Sequence, residues 1–405
     1  MQTSSQAVPN ARTQQSEAID YLSIVKDMAP LVNREARAAE EQGDLTAPVV
    51  DLFLDTQLVW FMTPHELGGG GASIRTCIEV LEELARSDGS TGWSLMATSI
   101  HTLYASGWAG DQVIDAMFGG GERAIVAGMP GPIGKATRQA DGQFRGSGRF
   151  GFASGSGYAN WFLAGMTLVD DGGVPLMANG EPQTLTFFLP RDRITYVRNW
   201  DVLGLKATAS NDFIVNDEVV SPDYATNVRT FTPLRGPDRY RMGGLAFGAA
   251  GHCAVVLGMM KRALEEIAVI ASGKSRLGYG GPIGKYPTFQ KDFATQEAIY
   301  TAVRTRVIDI FEDLERCAEA GDAPTAAQWA RMYQFVAWVH DVGPEVVRNC
   351  HAWAGSSGIR EPSVIGRYLR DSSTARMHSV ADPIKLVNAA PHLIELYADR
   401  SRDRA

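Results

Sequence analysis

Seven histidines and four cysteines are the groups in this chain best suited to catalysis or ligation, and their spacing narrows what they can do. The histidines form no HExxH pair or comparable ligand spacing, so the sequence offers no metal centre. Cys77, Cys253, Cys317 and Cys350 are far apart and make no CxxC pair, which predicts buried reduced thiols rather than a disulfide or zinc site. No GxSxG elbow is present, which removes the simplest hydrolase. Residues 146–151 match GxGxxG, but they lie between two strand candidates. No helix follows whose N-terminus could hold a pyrophosphate. The run Gly68 to Gly71 contains no Lys-Ser/Thr pair and reads as a tight turn. Several candidates remain. His101 stands alone in the apolar stretch 95–103, where a satisfied core position competes with a place in a substrate pocket. His378, in Ala375-Arg376-Met377-His378-Ser379, has an imidazole whose ordinary pKa of about 6.5 suits proton transfer near neutrality. Arg276, in Lys274-Ser275-Arg276, has a guanidinium matched to phosphate, against a solvated loop charge.

The chain can bury a core large enough to hold such groups: it has 405 residues, 45% of them hydrophobic and 21% charged. Its net charge of −8 leaves no basic stripe for nucleic acid or an anionic membrane. Residues 1–16 carry no basic-then-apolar signal pattern, and no run of about 18 apolar residues occurs, so a cytoplasmic protein is predicted. Helical periodicity runs over 18–39, 49–61 and 74–85, with a stop at Ser87-Asp88-Gly89-Ser90; 93–108 is apolar on most sides, as in a buried helix. From about Arg123 glycine rises. Short β-branched or aromatic runs (124–127, 150–152, 162–169, 184–189, 194–197, 213–220) then alternate with turns such as Asp141-Gly142 and Asp171-Gly172. Long helices return after Pro233, over 245–271, 289–318, 326–350, 363–380 and 384–398. The fold class is α+β: an N-terminal helical domain (1–120), a central antiparallel β-domain (121–232) and a C-terminal helical bundle (233–405).

Specific stretches in this order resemble the acyl-CoA dehydrogenase superfamily. Pro64-His65-Glu66-Leu67-Gly68-Gly69 and Leu81-Glu82-Glu83-Leu84-Ala85-Arg86-Ser87-Asp88-Gly89-Ser90 are similar to its N-terminal domain. Gly148-Arg149-Phe150-Gly151-Phe152-Ala153-Ser154-Gly155 resembles its flavin-contacting strand, and Trp200-Asp201-Val202-Leu203-Gly204-Leu205-Lys206-Ala207-Thr208-Ala209-Ser210 its second β-domain signature. Arg367-Tyr368-Leu369-Arg370-Asp371 resembles the arginine-aspartate turn of its last helices. The resemblance implies an acyl-CoA dehydrogenase-like fold with a flavin site at Ser154, Gly155, Trp200, Thr208 and Ser210, and a phosphate contact at Arg276. It also implies assembly into a homotetramer, or at least a dimer, because the family builds flavin sites at subunit contacts.

The catalytic glutamate of the dehydrogenases is missing at both usual places. None occurs between Glu361 and Glu395 or between Glu218 and Glu265, and His378 stands near the first. That pattern resembles the flavin-dependent monooxygenase branch: the oxygenase components of hydroxyphenylacetate, steroid-phenol and dibenzothiophene monooxygenases. Such enzymes take reduced FMN or FAD from a separate flavin reductase, use O2 as co-substrate through a C4a-hydroperoxyflavin, and oxygenate an aromatic or polycyclic small molecule. The resemblance places Ser154 near flavin N5, His378 near the reacting oxygens and His101 in the substrate pocket. Ala352-Trp353-Ala354-Gly355-Ser356 lacks the glutamine and second glycine with which dehydrogenases meet the FAD adenine, which leaves FMN open beside FAD. A dehydrogenase using another base and a flavin binder without turnover are the alternatives.

Overall fold

The computed structural model describes residues 19–402; the absence of a leader pattern in 1–16 and the start of the 18–39 stretch concern residues outside those described. Helix α1 (Tyr21–Gln42) is capped by Asp20, whose carboxylate accepts the Ser23 N–H at 3.0 Å. It buries Val25, Met28, Val32, Ala36 and Ala39 at helical spacing. The expected helix over 49–61 is shorter than its periodicity suggests. Helix α2 (Ala47–Asp55) stops because Gln57 takes a left-handed φ of 57°, and Leu58–Trp60 continues only as a 3-10 turn. Helices α3 (Ile74–Ser87) and α4 (Gly89–Trp108) meet at Asp88, which ends one and caps the other by accepting the Thr91 N–H at 2.9 Å. Helix α4 is buried on nearly every side, and α5 (Asp111–Phe118) leads into the sheet.

The central strands are β1 (Val126–Arg138), β2 (Phe144–Ala153), β3 (Trp161–Leu168), β4 (Met177–Ala178), β5 (Glu181–Pro182), β6 (Thr184–Pro190), β7 (Thr195–Val197), β8 (Asn211–Val220) and β9 (Ala225–Thr226). Seven form one sheet in the order β7-β8-β2-β1-β3-β6-β9, and β4-β5 is a small separate pair. The sheet is mostly antiparallel, as expected, with β1 and β3 as its one parallel pair among the described strands. A parallel pair joined directly needs a long crossover. Here β2 intervenes in sequence, so a seven-residue loop (154–160) steps over one end of β1, and that loop begins at Ser154. Strands β1 and β2 are much longer than their apolar runs, because Gly and Pro positions dilute the pattern; the GxGxxG match lies wholly inside β2.

The bundle comprises α6 (Gly244–Gly273), α7 (Pro287–Glu319), α8 (Ala326–Ala354), α9 (Val364–Ala375) and α10 (Ile384–Arg402). The stretch 363–380 is not one helix: α9 ends at Ala375, and His378 caps a 3-10 turn over Ser379–Ala381. All four cysteines are free thiols. Cys317 is only half-buried, unlike the other three, because it faces outward near the end of α7. One apolar cluster of buried residues runs through the helices and the sheet alike. No helix among the described residues is long and apolar enough to cross a membrane.

Candidate active site

Three helices and a strand enclose a cavity of about 270 Å³ that Ser154 lines. The α4 face contributes Trp93, Met96, Ala97, Ile100, His101 and Tyr104, a spacing that keeps all six on one side of a helix. From α6 come Leu245, Gly248, Ala249 and His252, and from α8 Met332, Tyr333 and Val336. Gly128 to Gly131 of β1, at an irregularity in its pairing with β3, form the floor. The 3-10 turn after α9 supplies His378. An outer cavity of about 560 Å³ shares Tyr104, Pro130, Arg229, Leu245, Tyr333 and Lys385 with the first.

A chain of hydroxyls runs behind Ser154. Trp93 Nε1 lies 3.1 Å from Ser154 Oγ, Ser154 Oγ 2.7 Å from Ser210 Oγ, and Ser210 Oγ 2.7 Å from Thr208 Oγ1. Thr208 Oγ1 lies 2.8 Å from the Leu205 carbonyl. An indole N–H only donates and a carbonyl only accepts, so one proton per hydroxyl gives the chain a single direction, from Trp93 through Ser154, Ser210 and Thr208 to Leu205. Ser154 therefore donates inward and keeps one lone pair free. The Leu205 carbonyl also accepts from Trp200 Nε1 at 3.0 Å. Leu205 itself has a left-handed φ of 53°, held by its N–H donating to Asp371 Oδ1 of α9 at 2.6 Å. Burial, with the Asp88 carboxylate beside it, pushes the Asp371 carboxyl up to about 7.

Two histidines flank Trp93, a third packs on one of them, and His101 lines the same cavity. The His252 and His378 ring centres are 4.2 Å apart, Trp93 lies 4.8 Å from His252 and 5.6 Å from His378, and His340 lies 6.0 Å from His252. Burial lowers all of them: His101, His340 and His378 to about 4, and His252 well below its ordinary value. Burial thus favours the neutral imidazole at each, and shifts His378 away from the ordinary histidine value. Tautomers follow from their partners. The Val380 N–H donates to His378 Nδ1 at 3.2 Å, so the His378 proton sits on Nε2 as a fixed donor. His340 Nδ1 donates to the Val336 carbonyl at 2.7 Å, leaving Nε2 a bare acceptor. His101 Nδ1 and His252 Nδ1 are buried without a partner among the described residues.

The structure thus brings Ser154, Gly155, Trp200, Thr208 and Ser210 into one bonded network, joined also by the Gly155 N–H donating to the Thr208 carbonyl at 2.8 Å. His101 and His378 line the cavity that network borders. Arg276 stands apart: it donates to the Ala352 and Trp353 carbonyls at 2.9 and 2.6 Å and lies over the Trp353 ring, so it caps the end of α8. Sequence reasoning missed Trp93, His252 and His340. The signal available was a lone polar ring on an apolar helix face, the same signal that marked His101. A flavin fits these residues. Phe152 and Trp200, set edge to face at 6.0 Å, present an apolar platform beside Ser154, with Phe152 64% exposed. Ser154 has a spare acceptor for a ring N–H, and Gly155 has a φ of 76° with no room for a Cβ, which would fall 2.4 Å from Thr98 Cγ2.

Comparison with known proteins agrees. Residues 250–383 match the family described as acyl-CoA dehydrogenase, C-terminal domain. Indole-3-acetate monooxygenase of Pseudomonas putida is 27% identical, covering 88% of this chain and 90% of its own. The flavin-dependent monooxygenase oxygenase subunit HsaA of Mycobacterium tuberculosis is 22% identical over 91% of this chain and 94% of its own. XiaF of a Streptomyces species, solved with FADH2 and glycerol, has a TM-score of 0.85 at 20% identity, covering 93% of this chain and 95% of its own, and shares the fold. The bundle is thus similar to the acyl-CoA dehydrogenase C-terminal domain, and the chain over most of its length is similar to flavin-dependent monooxygenase oxygenase subunits.

Proposed function

We propose that this protein is the oxygenase component of a two-component monooxygenase that uses reduced flavin and O2 to oxygenate a small aromatic molecule. The observation that carries this reading is the wall of the cavity beside Ser154: apolar groups and neutral imidazoles, with no Asp or Glu among the described lining residues. Taking an α-proton from an acyl thioester requires a carboxylate base at that place, and none stands there. Reduced FMN or FAD, delivered by a separate reductase, supplies two electrons, so that one atom of O2 enters the substrate and the other leaves as water.

The chain's own residues do the rest. Ser154, fixed in orientation by Trp93 on one side and Ser210 and Thr208 on the other, would offer its free lone pair to a flavin ring N–H. Phe152 and Trp200 would hold the flat ring of a bound flavin, and Gly155 would let the backbone approach it. His378 holds a proton at Nε2, where it donates to an oxygen atom in the cavity, and His101 contacts the substrate. Met96, Ile100, Met332 and Val336 keep water out, so that oxygen reaches the substrate rather than being lost as peroxide. The name of the Pseudomonas relative supports an aromatic substrate. An exposed apolar face on α10 (Ile384, Val387, Ile394) supports assembly into a homotetramer, and four free thiols suit the reducing cytoplasm.

The test compares two substrates. Anaerobically, an acyl-CoA thioester should leave the oxidised flavin-loaded protein unbleached, while reduced flavin, O2 and an arene should give hydroxylated product. Bleaching by the thioester with no arene oxygenation would move the protein to the dehydrogenase branch.

A further inference from the structure

The inner and outer cavities share a wall that carries two cations, Arg229 and Lys385. Neither makes an ion pair among the described residues: Lys385 Nζ lies 5.1 Å over the Tyr333 ring, and Arg229 acts electrostatically on Tyr104 and Tyr333. No described lining residue of either cavity is Asp or Glu. The nearest carboxylate in sequence, Asp382, is occupied in accepting the Ile384 N–H at 2.8 Å at the start of α10. Many of the chain's arginines pair with acids on its surface, whereas these two cations share one cavity wall free of carboxylates. Two like charges without an acid partner among the described residues, at the junction of two cavities, raise the local potential for an anion.

We propose that Arg229 and Lys385 form an anion subsite that selects small aromatic carboxylates, the ring lying inward among Met96, Ile100 and Val336 and the carboxylate at the junction. The proposal rests on the oxygenase reading for its aromatic ring, and on the paired cations for the acid. The chemistry favours a carboxylate: the planar guanidinium can grip it through two parallel N–H donors, and the ammonium adds a point charge. Its position also fixes polarity. With the acid anchored at the junction, the far edge of the ring is the part carried toward His378 and Ser154, so the subsite would set which carbon is oxygenated.

The test measures equilibrium binding, by calorimetry at low salt, of indole-3-acetate and of its neutral counterpart indole-3-acetamide. Wild-type protein should bind the acid at least about tenfold tighter than the amide, a preference that weakens as salt is added. The double variant Arg229→Gln/Lys385→Gln, altered at the exposed and half-exposed rim, should lose that preference while its affinity for the amide is unchanged. Equal affinities in the wild type, a preference that survives in the double variant, or binding of neither compound would each overturn the proposal. Product analysis with reduced flavin and O2 separates the two ideas. Oxygenation of both compounds with equal affinity overturns the anion subsite and keeps the oxygenase. An Arg229- and Lys385-dependent preference for the acid with no oxygenation of either compound keeps the subsite and sinks the oxygenase reading.

Discussion

At the scale of single residues, the account turns on which proton sits where. His378 is held by the Val380 N–H at Nδ1 and packed against Trp93 and His252 where it lines the cavity, an arrangement that favours the neutral ring with its proton on Nε2. His378→Ala should keep the fold and the flavin affinity while product formation falls by about 10²–10⁴-fold. His378→Asn, whose amide oxygen can take over the Val380 N–H and whose amide nitrogen can donate, should recover part of that loss. Wild-type turnover in the alanine variant, measured as product per reduced flavin consumed, would make His378 a structural cap. Ser154 and His378 were named as candidates because each stood in a stretch that resembles a known family segment, and His101 because it was a lone histidine in an apolar stretch. Trp93, His252 and His340 carried no more than that weaker signal, because single polar rings in apolar helices look alike whether they meet a cavity or a core. Only the packing of α4, α6 and α8 distinguishes them.

At the scale of elements, the β-domain and the bundle are tied through one turn. Gly204 approaches α9 so closely that a Cβ there would lie 2.2 Å from Arg370 backbone atoms, and Leu205 next to it donates to the buried Asp371. The hydroxyl chain behind Ser154 ends on that same Leu205, so Asp371 sets the position of the flavin-site loop through it. Folding raises the Asp371 carboxyl above its unfolded value, so the folded chain holds a proton that the unfolded chain has released. Its contribution to stability is therefore greatest below about pH 4 and declines as pH rises to about 7. Asp371→Asn keeps an acceptor for Leu205 and removes the titration. Its stability relative to wild type should rise between pH 5 and pH 8 by on the order of 1–3 kcal/mol in denaturant unfolding. A difference that is the same at both pH values would show that Asp371 does not titrate there. Long elements with clean periodicity, such as α3 and α6, were readable in the sequence. The full extents of β1 and β2 were hidden by their Gly and Pro residues, and the end of α9 at Ala375 was hidden because residues 376–380 carry no glycine or proline to mark it.

At the scale of the whole molecule, helices from both sides of the β-domain in sequence converge on the central strands of the sheet, and the cavity exists only where they meet. The helix–strand–helix order was visible in the sequence, but the convergence of residues 93, 154, 252 and 378 depends on tertiary packing that no local pattern encodes. The parallel placement of β1 and β3 was likewise invisible, since it follows from a loop stepping over a strand end rather than from the strands themselves. The central claim is that this cavity directs one atom of molecular oxygen into a small aromatic substrate. The most direct measurement supplies the protein with enzymatically or chemically reduced flavin, ¹⁸O₂ and an aromatic acid such as indole-3-acetate, and analyses the product by mass spectrometry. The account predicts one ¹⁸O atom per molecule of product, absent when protein or flavin is omitted. Flavin reoxidised with all the oxygen recovered as peroxide and no label in the arene, together with anaerobic bleaching by an acyl thioester, would contradict it.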